Sequence, residues 1–296
     1  MEKIIVIVGP TCVGKTKMSI EIAKRYNGEI INADSTQIYK NNDIATAKIT
    51  TEEMEGIKHH LISIKDLSED YTVFDYQSDA RNCINQIIHK GRMPILVGGT
   101  GLYIKSVLYD YKFDNEKRVC NDYENYSDEE LYQKLLSVDP NTEIHPNNRK
   151  RIERALDYYF ANNKPMSDKE KTNKMLYDAI IIGLTTDRQV LYNKINERVD
   201  KMLSNGLLDE AKRIFESNIR TKAVLTPIGY KELFPYFEGN KSLDDAIKLM
   251  KQNSRHYAKR QYTWFLHQMD VKWFTVDYDD FNYTVNDVIK YIDEVI

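Results

Sequence analysis

The sequence has little cysteine, no long apolar run and no strong excess of either charge. Its 3 cysteines (Cys12, Cys83 and Cys120) lie far apart without a CxxC pair, so neither a disulfide framework nor a zinc knuckle is expected. No apolar run approaches the ~20 residues that cross a bilayer, and the apolar start at 1–8 is too short for a signal peptide. We therefore expect a cytoplasmic protein without a membrane partner. The net charge of −3 excludes no nucleic-acid partner, because binding depends on local patches.

The residues that are present give an ordinary globular composition. With 296 residues, 42% hydrophobic and 29% charged, the chain has ample material for a buried core and is neither disordered nor fibrous in character. We find no internal repeat and no low-complexity tract. Length and composition allow one large domain or two smaller ones.

Apolar β-branched runs alternate along the chain with segments of helical spacing. The runs predict strands near 3–8, 29–33, 60–64, 94–97, 179–184 and 272–276. Apolar residues at helical spacing predict helices near 16–26, 74–90, 151–160, 187–217 and 242–269. Strands that alternate with helices favour an α/β layer with a parallel sheet.

The most specific motif comes directly after the first predicted strand. It is Gly9, Pro10, Thr11, Cys12, Val13, Gly14, Lys15 and Thr16, which fits G-x-x-x-x-G-K-[ST] and precedes a predicted helix. In such a phosphate loop (residues 9–16) backbone N–H groups and the helix N-terminus attract anions, and the lysine reaches the terminal phosphates. The motif predicts a di- or triphosphate site, with the Thr16 hydroxyl as a ligand of Mg²⁺.

The motif also sets the expected fold class and domains. We predict an α/β fold with a P-loop NTPase-like parallel sheet flanked by helices. From Tyr109 the sequence turns polar and aromatic and then helical, with Ser127 and Glu130 spaced as a capping box. The predicted division is 1–110 for the first part of the core, 111–178 for a mostly helical insertion domain, and 179–296 for the remaining core and C-terminal helices.

Two signatures of guanine-nucleotide enzymes are missing. The sequence contains no NKxD motif, which disfavours a GTPase, and no hydrophobic strand that ends in Asp before a switch-like glycine. Instead, Asp34 stands at the end of the second predicted strand, in the segment Ala33-Asp34-Ser35-Thr36-Gln37. Ligands of a doubly wound sheet collect at the carboxyl ends of its strands, so Asp34 is a candidate general base. From position alone, a turn-forming Asp34 is an equally open interpretation.

A glycine-rich segment stands at the end of the strand predicted at 94–97. Gly98, Gly99 and Gly101 surround Thr100. This density of glycine indicates a backbone that a ligand approaches closely, with the Thr100 hydroxyl presented to it. A plain glycine turn is the alternative.

Two basic clusters lie in the second half of the chain. One contains Arg149, Lys150, Arg151 and Arg154; the other contains Lys251, Arg255, His256, Lys259 and Arg260. Such clusters are either solvated helix faces or contacts to a phosphodiester backbone. The pair His59-His60 has no matching ligand spacing elsewhere, which favours a loop feature over a metal site.

Together these segments resemble the tRNA dimethylallyltransferase family of bacterial type. The resemblance runs in order from the first strand to about Phe265. Its pieces are GPTCVGKT (9–16), DSTQIY (34–39), DIATAK (43–48), HHLI (59–62), GRMPILVGGTGLY (91–103), HPNNRKRIERAL (145–156), GYKE (229–232) and RHYAKRQYTWF (255–265). Many members carry a basic residue or glutamine just before the GY pair, where this chain has Thr226-Pro227, so no phosphate contact is expected there.

The resemblance implies an enzyme that transfers a dimethylallyl group from dimethylallyl diphosphate to the N6 amino group of adenosine-37, next to the tRNA anticodon. It implies that the phosphate loop holds this diphosphate rather than ATP, that Asp34, Thr100 and Lys15 are catalytic, and that Mg²⁺ at Thr16 is the cofactor. The residues that would contact the tRNA anticodon stem-loop are Asp34, Ser35, Thr36, Gln37, Thr100, Lys150, Arg151, Arg154, Arg255, Lys259 and Arg260. We expect a monomer.

Two other functions remain open from the residues themselves. A small-molecule or nucleotide kinase would use the same phosphate loop with ATP, and Arg118 or Arg149 could close over the transferred phosphoryl group. A nucleotide-gated RNA-binding module would use the basic clusters and would leave Asp34 without a role.

Overall fold

A computed structural model describes residues 1–111, 121–168 and 174–296. These form two compact units, one of Met1–Asp110 with Met175–Ile296 and one of Tyr111–Lys174. The second unit ends four residues before the predicted limit of 178, since Met175 already pairs with Tyr109 of the first unit. Arg118 and Cys120 lie outside the described residues.

The first unit is built on a six-stranded, fully parallel sheet, as the sequence predicts. The strands are β1 (Lys3–Val8), β2 (Gly28–Asn32), β3 (His59–His60), β4 (Met93–Val97), β5 (Asp178–Thr185) and β6 (Lys272–Thr275). Their order is β3-β2-β4-β1-β5-β6. Apart from Lys3, every residue of β1 is buried, which explains its continuous apolar run.

Helices cover both faces of this sheet. In chain order they are α1 (Lys15–Arg25), α2 (Val73–His89), α3 (Gly101–Leu108), α6 (Arg188–Ser204), α7 (Leu207–Glu216), α8 (Lys222–Leu225), α9 (Tyr230–Phe237), α10 (Leu243–Gln268) and α11 (Phe281–Val295). Alternate residues of β1 belong to two different hydrophobic cores. Ile4 and Val6 pack into one core, and Ile5 and Ile7 pack into the other. Two buried layers enclosing a parallel sheet are the expected arrangement for this class.

The strand order places a topological switch point between β1 and β4. The chain leaves β1 toward β2 on one side, whereas it leaves β4 to return at β5 on the other side of β1. A crevice forms outside the carboxyl ends of strands at such a point and is the usual ligand site of an open parallel sheet. The phosphate loop begins where β1 ends, and Thr100 lies just beyond the end of β4.

Within its described residues, the second unit contains two helices, α4 (Asp128–Val138) and α5 (Arg149–Asn162), and a short 3-10 turn at Met166–Asp168. Ser127 and Glu130 form the predicted capping box at the start of α4. Its small core consists of Tyr123, Leu131, Leu135, Ile152, Ala155 and Leu156.

Two local predictions were wrong. The helix expected over 187–217 is two helices, α6 and α7, which separate at Gly206 with φ 95°. The strand expected over 60–64 is limited to His59–His60. None of the described helices combines the length and apolar character required to cross a membrane.

Candidate active site

A cleft of about 510 Å³ opens at the carboxyl edge of the sheet in the first unit. This volume lies within the range of roughly 300–1,000 Å³ that small-molecule sites usually have. Its polar lining comes from the phosphate loop, from the segment after β2, and from α6 and α10. These residues include Thr11, Cys12, Lys15, Thr16, Asp34, Ser35, Thr36, Gln37, Arg198, Ser254, Tyr257, Arg260 and Gln261.

The phosphate loop has the backbone geometry that anion binding requires. Cys12 and Gly14 both have positive φ, at 68° and 81°, and such left-handed residues turn successive N–H groups inward. Gly14 is the N-cap of α1, whose first turn contains no acidic side chain. The positive end of the helix dipole therefore faces the cleft without a neutralising carboxylate. Tyr278 fixes the loop from outside by donating a hydrogen bond to the Cys12 carbonyl at 2.9 Å.

The Lys15 ammonium is folded back onto its own loop. Its Nζ donates to the carbonyl oxygens of Gly9 (3.0 Å) and Pro10 (2.6 Å). Removal from water lowers the pKa of Lys15 to about 8; the negative charge of Asp34 opposes this shift, and the positive charge of Arg198 adds to it. These couplings place Lys15, Asp34 and Arg198 in one electrostatic site.

Asp34 combines a turn-forming role with a position on the cleft. Its Oδ1 accepts hydrogen bonds from the Thr36 backbone N–H (2.9 Å) and the Thr36 hydroxyl (2.7 Å). The Asn32 side chain braces Asp34 by accepting from its N–H and donating to its carbonyl oxygen. The second carboxylate oxygen, Oδ2, has no hydrogen-bonding partner among residues 1–111, 121–168 and 174–296. One oxygen therefore holds the turn while the other can accept a proton.

Thr100 lies behind the cleft rather than in its lining. Its Oγ1 accepts a hydrogen bond from the Ser35 N–H at 3.1 Å and lies 3.3 Å from the Ser35 hydroxyl. The Thr100 N–H donates to the Ala33 carbonyl at 3.1 Å. Thr100 thereby fixes the residues on both sides of Asp34.

The glycines around Thr100 are required by protein packing. A Cβ at Gly98 would overlap the Ala33 backbone, one at Gly99 the Gln261 amide, and one at Gly101 the Trp264 ring. Protein atoms from the end of β2 and from α10 occupy that space. Gly98 nevertheless lines the cleft, so the close approach of a ligand to this backbone stays a prediction.

The segment 34–48, which we name the Asp34 loop, is held by buried polar side chains. Glu210 of α7 is 2% exposed, and its carboxylate accepts from three successive N–H groups, those of residues 43, 44 and 45, at 2.8–2.9 Å. The Tyr230 hydroxyl donates to the same carboxylate at 2.7 Å. Within the loop, Lys48 donates to the Tyr39 carbonyl, Asp43 and Asn42, and also to the Ser63 hydroxyl outside it. Such fully satisfied buried groups fix a loop conformation.

This loop also organises two side chains of the cleft. Gln37 donates to the carbonyl oxygens of Thr46 (3.2 Å) and Ala47 (3.4 Å). Arg198 donates to the same Thr46 carbonyl at 3.3 Å. A carbonyl oxygen does not neutralise the positive charge of Arg198, so the cleft lining contains a second cation besides Lys15.

The remaining wall of the cleft is apolar with one polar tip. Ile195, Val199, Met202, Ile228 and Met250 form the apolar surface. Burial raises the pKa of the Tyr257 hydroxyl, and the charge of Asp34 raises it further, so Tyr257 remains a neutral hydrogen-bonding group. A small hydrocarbon group beside an anion site fits this combination of surfaces.

The predicted basic residues have different environments. On α10, Arg260 lines the cleft with its guanidinium 5.7 Å from the Tyr257 ring, Lys259 is exposed, and Arg255 donates to Asn196 at 2.7 Å. In the second unit Lys150, Arg151 and Arg154 are exposed on α5.

Arg149 differs from its neighbours on α5. Its guanidinium donates to Asp128 and Glu153 and to the carbonyls of Tyr123 and Tyr126. The Arg149 guanidinium is therefore bound to groups of the second unit. Arg149 was one of the two arginines that a kinase was expected to use, and this pairing disfavours that use.

Four residues of the site were missed by sequence reasoning as individual positions: Arg198, Glu210, Tyr257 and Gln261. Tyr257 and Gln261 lie in the matching segment 255–265, which was the available signal. Arg198 interrupts the apolar spacing of Ile195, Val199 and Met202, a weaker signal. The sequence contained no signal for Glu210, because acidic residues are common in the first turn of a helix.

Thr16 is the side chain that fits a bound magnesium ion. Thr16 is an exposed residue that lines the cleft beside Lys15, at the N-terminus of α1. The described ranges contain no cluster of three or more His, Cys, Asp or Glu side chains suited to a metal. Mg²⁺ commonly binds through few protein ligands together with substrate phosphates and water, so a single hydroxyl is compatible with it. His60 is instead paired with the buried Glu29 at 2.6 Å.

Comparison with known proteins shows the family of this chain. The model of the family "IPP transferase" matches residues 37–268. A tRNA dimethylallyltransferase of Anoxybacillus flavithermus is 49% identical over 302 residues, covering 99% of this chain and 96% of the relative.

Solved structures show the same relation. The full-length tRNA isopentenylpyrophosphate transferase of Bacillus halodurans is 42% identical with a TM-score of 0.78, covering 100% of this chain and 97% of that one. A eukaryotic dimethylallyltransferase acting on tRNA is 31% identical with a TM-score of 0.83, covering 99% of this chain and 79% of that one. With its fold, its phosphate loop and its full-length similarity in agreement, this chain belongs to the IPP transferase family.

Proposed function

We propose that this protein is a tRNA dimethylallyltransferase. It transfers the dimethylallyl group of dimethylallyl diphosphate to the N6 amino group of adenosine-37, beside the anticodon, and releases diphosphate. The bond between the allylic carbon and the diphosphate oxygen breaks, a carbon–N6 bond forms, and one proton leaves N6. The product is N6-(dimethylallyl)adenosine in tRNA.

The observation that carries this proposal is the composition of a single cleft. An anion-binding loop, a carboxylate with a free oxygen and an apolar wall all line it. A prenyl diphosphate needs the first and the third, and an amine nucleophile needs the second. Membership in the IPP transferase family supports the same assignment.

Departure of the diphosphate requires stabilisation of its negative charge. Lys15, Arg198 and the N-terminus of α1 supply positive potential around the phosphate loop. The residues proposed to hold the diphosphate are Gly9, Pro10, Thr11, Cys12, Val13, Gly14, Lys15 and Thr16. Lys15 exchanges its bonds to the loop carbonyls for bonds to phosphate oxygens when substrate binds.

A magnesium ion is proposed as cofactor at Thr16. When bound, it would neutralise charge on the diphosphate oxygens. The protein's share is the hydroxyl of the exposed residue Thr16, positioned by the first turn of α1.

Asp34 is proposed as the group that accepts the N6 proton. Its Oδ1 stays committed to Thr36, so Oδ2 is the oxygen available to the amino group. Thr100 orients this carboxylate through Ser35. A positioned base of this kind contributes typically ~10²–10⁴-fold to a rate.

The tRNA contacts are proposed in two groups, one for the target base and one for the backbone. Gln37 reads the adenine edge through its Oε1, since its Nε2 donates to the Thr46 and Ala47 carbonyl oxygens. Asp34, Ser35 and Thr36 surround the flipped base, and Thr100 supports them from behind through Ser35. Extrusion of a base from a single-stranded loop costs only a few kcal/mol. Backbone contacts are assigned to Lys150, Arg151, Arg154, Arg255, Lys259 and Arg260. We also propose that the protein is a cytoplasmic monomer.

A two-label experiment tests the function. The protein is incubated with tRNA and ¹⁴C-dimethylallyl diphosphate, and separately with tRNA or small nucleosides and γ-³²P-ATP. Label in tRNA from the first donor alone is expected. Transfer of ³²P would instead identify a kinase, and tRNA binding without any transfer would identify a binding module.

A further inference from the structure

We infer that Gln261 is a positioning residue that sets the distance between the phosphate loop and the Asp34–Thr100 pair. The inference rests on the proposed function and deepens it. Gln261 is on α10, 5% exposed, and uses both ends of its amide. Its Oε1 accepts from the Thr11 N–H at 3.0 Å, and its Nε2 donates to the Gly99 carbonyl at 3.1 Å.

These two contacts connect the two halves of the proposed reaction. Thr11 belongs to the loop proposed to hold the diphosphate, and Gly99 directly precedes Thr100. Thr100 in turn accepts from the Ser35 N–H, next to Asp34. Three hydrogen bonds, together with the covalent link from Gly99 to Thr100, therefore connect the phosphate loop through Gln261 and Thr100 to the residue beside the proposed base.

The need for such a bridge comes from the chemistry. The electrophile is held by the loop after β1, whereas the nucleophile is held by the segments after β2 and β4. Transfer requires the allylic carbon and N6 to approach within about 3–3.5 Å, and a misplacement of about 1 Å can cost ~10²-fold in rate. Beyond the strand ends, backbone pairing joins the segments after β2 and β4 through the Thr100 N–H and the Ala33 carbonyl. The Gln261 side chain adds the contact between the Gly99 carbonyl and the Thr11 N–H of the phosphate loop.

Local packing shows that this bridge has little freedom. A Cβ at Gly99 would overlap the Gln261 amide, so the helix side chain and the turn are in close contact. Both ends of the amide are hydrogen-bonded and the side chain is buried, which restricts it to one orientation. Gln261 can therefore transmit a shift of either loop to the other.

Two substitutions separate the bridge from general packing. Gln261→Met conserves volume and removes both hydrogen bonds. Gln261→Glu keeps an acceptor for the Thr11 N–H but sets a carboxylate oxygen against the Gly99 carbonyl. Gln252→Met, at an exposed position of the same helix, is the matched control. Single-turnover rate, Kd for inorganic diphosphate, Kd for tRNA and thermal midpoint are measured on each folded protein.

Gln261→Met is expected to lower the single-turnover rate by ~10²-fold while both Kd values change by less than about threefold. Gln261→Glu is expected to lower the rate as well, and also to weaken diphosphate binding, because its carboxylate lies beside the phosphate loop. Gln252→Met is expected to behave as the parent. A Gln261→Met protein with a lower thermal midpoint but the parental rate per folded molecule would overturn the inference.

A second measurement does not depend on transfer. Hydrogen exchange of the peptide spanning 34–37 is measured with and without inorganic diphosphate. In the parent, diphosphate is expected to slow exchange there; in Gln261→Met the slowing is expected only at 9–16. Equal slowing at 34–37 in both proteins, or none in the parent, contradicts the bridge. A parent that shows the coupling but never prenylates tRNA would refute the proposed function and leave the bridge standing.

Discussion

The two loops that meet in the cleft are built in opposite ways. The phosphate loop is local: eight consecutive residues, three of them with positive φ, form it at the end of one strand. The Asp34 loop is assembled from a distance: its backbone N–H groups at 43–45 bind Glu210, which is 165 residues away from Ala45. The phosphate loop leaves backbone N–H groups available to a ligand, whereas the Asp34 loop pairs its N–H groups at 43–45 with a side chain of the protein. Anion binding therefore depends on a short motif, and placement of the proposed base depends on the tertiary fold.

The largest expected effect concerns the Asp34 loop. Asp34→Asn keeps the shape and the turn acceptor for Thr36 but cannot take a proton, so the single-turnover rate should fall by ~10²–10⁴-fold with Kd values nearly unchanged. Thr100→Val removes one hydroxyl at similar volume and should cost less, because Thr100 orients rather than accepts. An Asp34→Asn protein that melts earlier and transfers at the parental rate would reduce Asp34 to a turn residue.

The corresponding change in the phosphate loop is Lys15→Ala. It removes one cation from the leaving group and should lower turnover by ~10²-fold or more. Affinity for tRNA should change little, since the tRNA contacts are assigned to other residues. Near-normal prenylation by this variant would show that Lys15 is not needed for departure of diphosphate.

The anchoring of the Asp34 loop can be broken without touching the cleft. Glu210→Gln replaces a carboxylate that accepts four hydrogen bonds by an amide with one acceptor, leaving buried N–H groups unsatisfied. The free energy of unfolding should fall by about 3 kcal/mol, and Tyr230→Phe, which removes one donor, should cost about 1 kcal/mol. The exposed Asp209→Asn on the same helix is the control for charge. Denaturant titration measures the free energy of unfolding of the three variants. Equal values for all three would show that Glu210 does not anchor the Asp34 loop.

The phosphate loop should make the activity depend on pH through Lys15. The pKa of Lys15 is lowered to about 8, so in the free enzyme its ammonium is lost as the pH rises through that value. kcat/KM for dimethylallyl diphosphate should therefore fall above pH 8, approaching tenfold per pH unit, because this ratio reports groups of the free enzyme. Lys15→Arg, whose side chain stays charged, should abolish that limb of the profile. An unchanged alkaline limb in Lys15→Arg would assign it to another group.

The same shift has a consequence for stability with the opposite sign. The folded-state pKa lies below the unfolded value of 10.5, so between these values the unfolded chain binds more protons at Lys15. Stability should therefore rise with pH across this interval as far as Lys15 is concerned. Comparing the parent with Lys15→Met in denaturant titrations at about pH 7 and about pH 9.5 isolates this contribution. A difference in stability between the two proteins that does not change with pH would contradict the lowered pKa.

The smallest effect concerns residues outside both loops. Arg151 and Arg154 are exposed on α5, and if they track the tRNA backbone, affinity should fall with added salt. Replacing both by alanine should make the slope of log K against log salt shallower by roughly one unit per lost phosphate contact. A slope identical to the parent would assign these arginines to a solvated helix face.

The contrast between the loops also explains what the sequence could predict. The parallel sheet, the phosphate loop and the Ser127–Glu130 capping box depend on neighbouring residues, and each was readable from spacing. The contacts of Glu210 and Gln261 join residues 165 and 250 apart, so no local pattern contains them. The glycines at 98, 99 and 101 were noticed, but their reason is the packing of Ala33 and α10 against them. Spacing thus located the site, and only the fold showed how its parts are held.

The most direct test of the proposed function is the chemical identity of the modified nucleoside. Two anticodon stem-loops, one with adenosine and one with guanosine at position 37, are incubated with the protein, Mg²⁺ and dimethylallyl diphosphate, then digested and analysed by mass spectrometry. We expect N6-(dimethylallyl)adenosine from the first RNA and no prenylated nucleoside from the second. Equal modification of both RNAs, or none in either while the protein remains folded and binds diphosphate, would contradict the assignment.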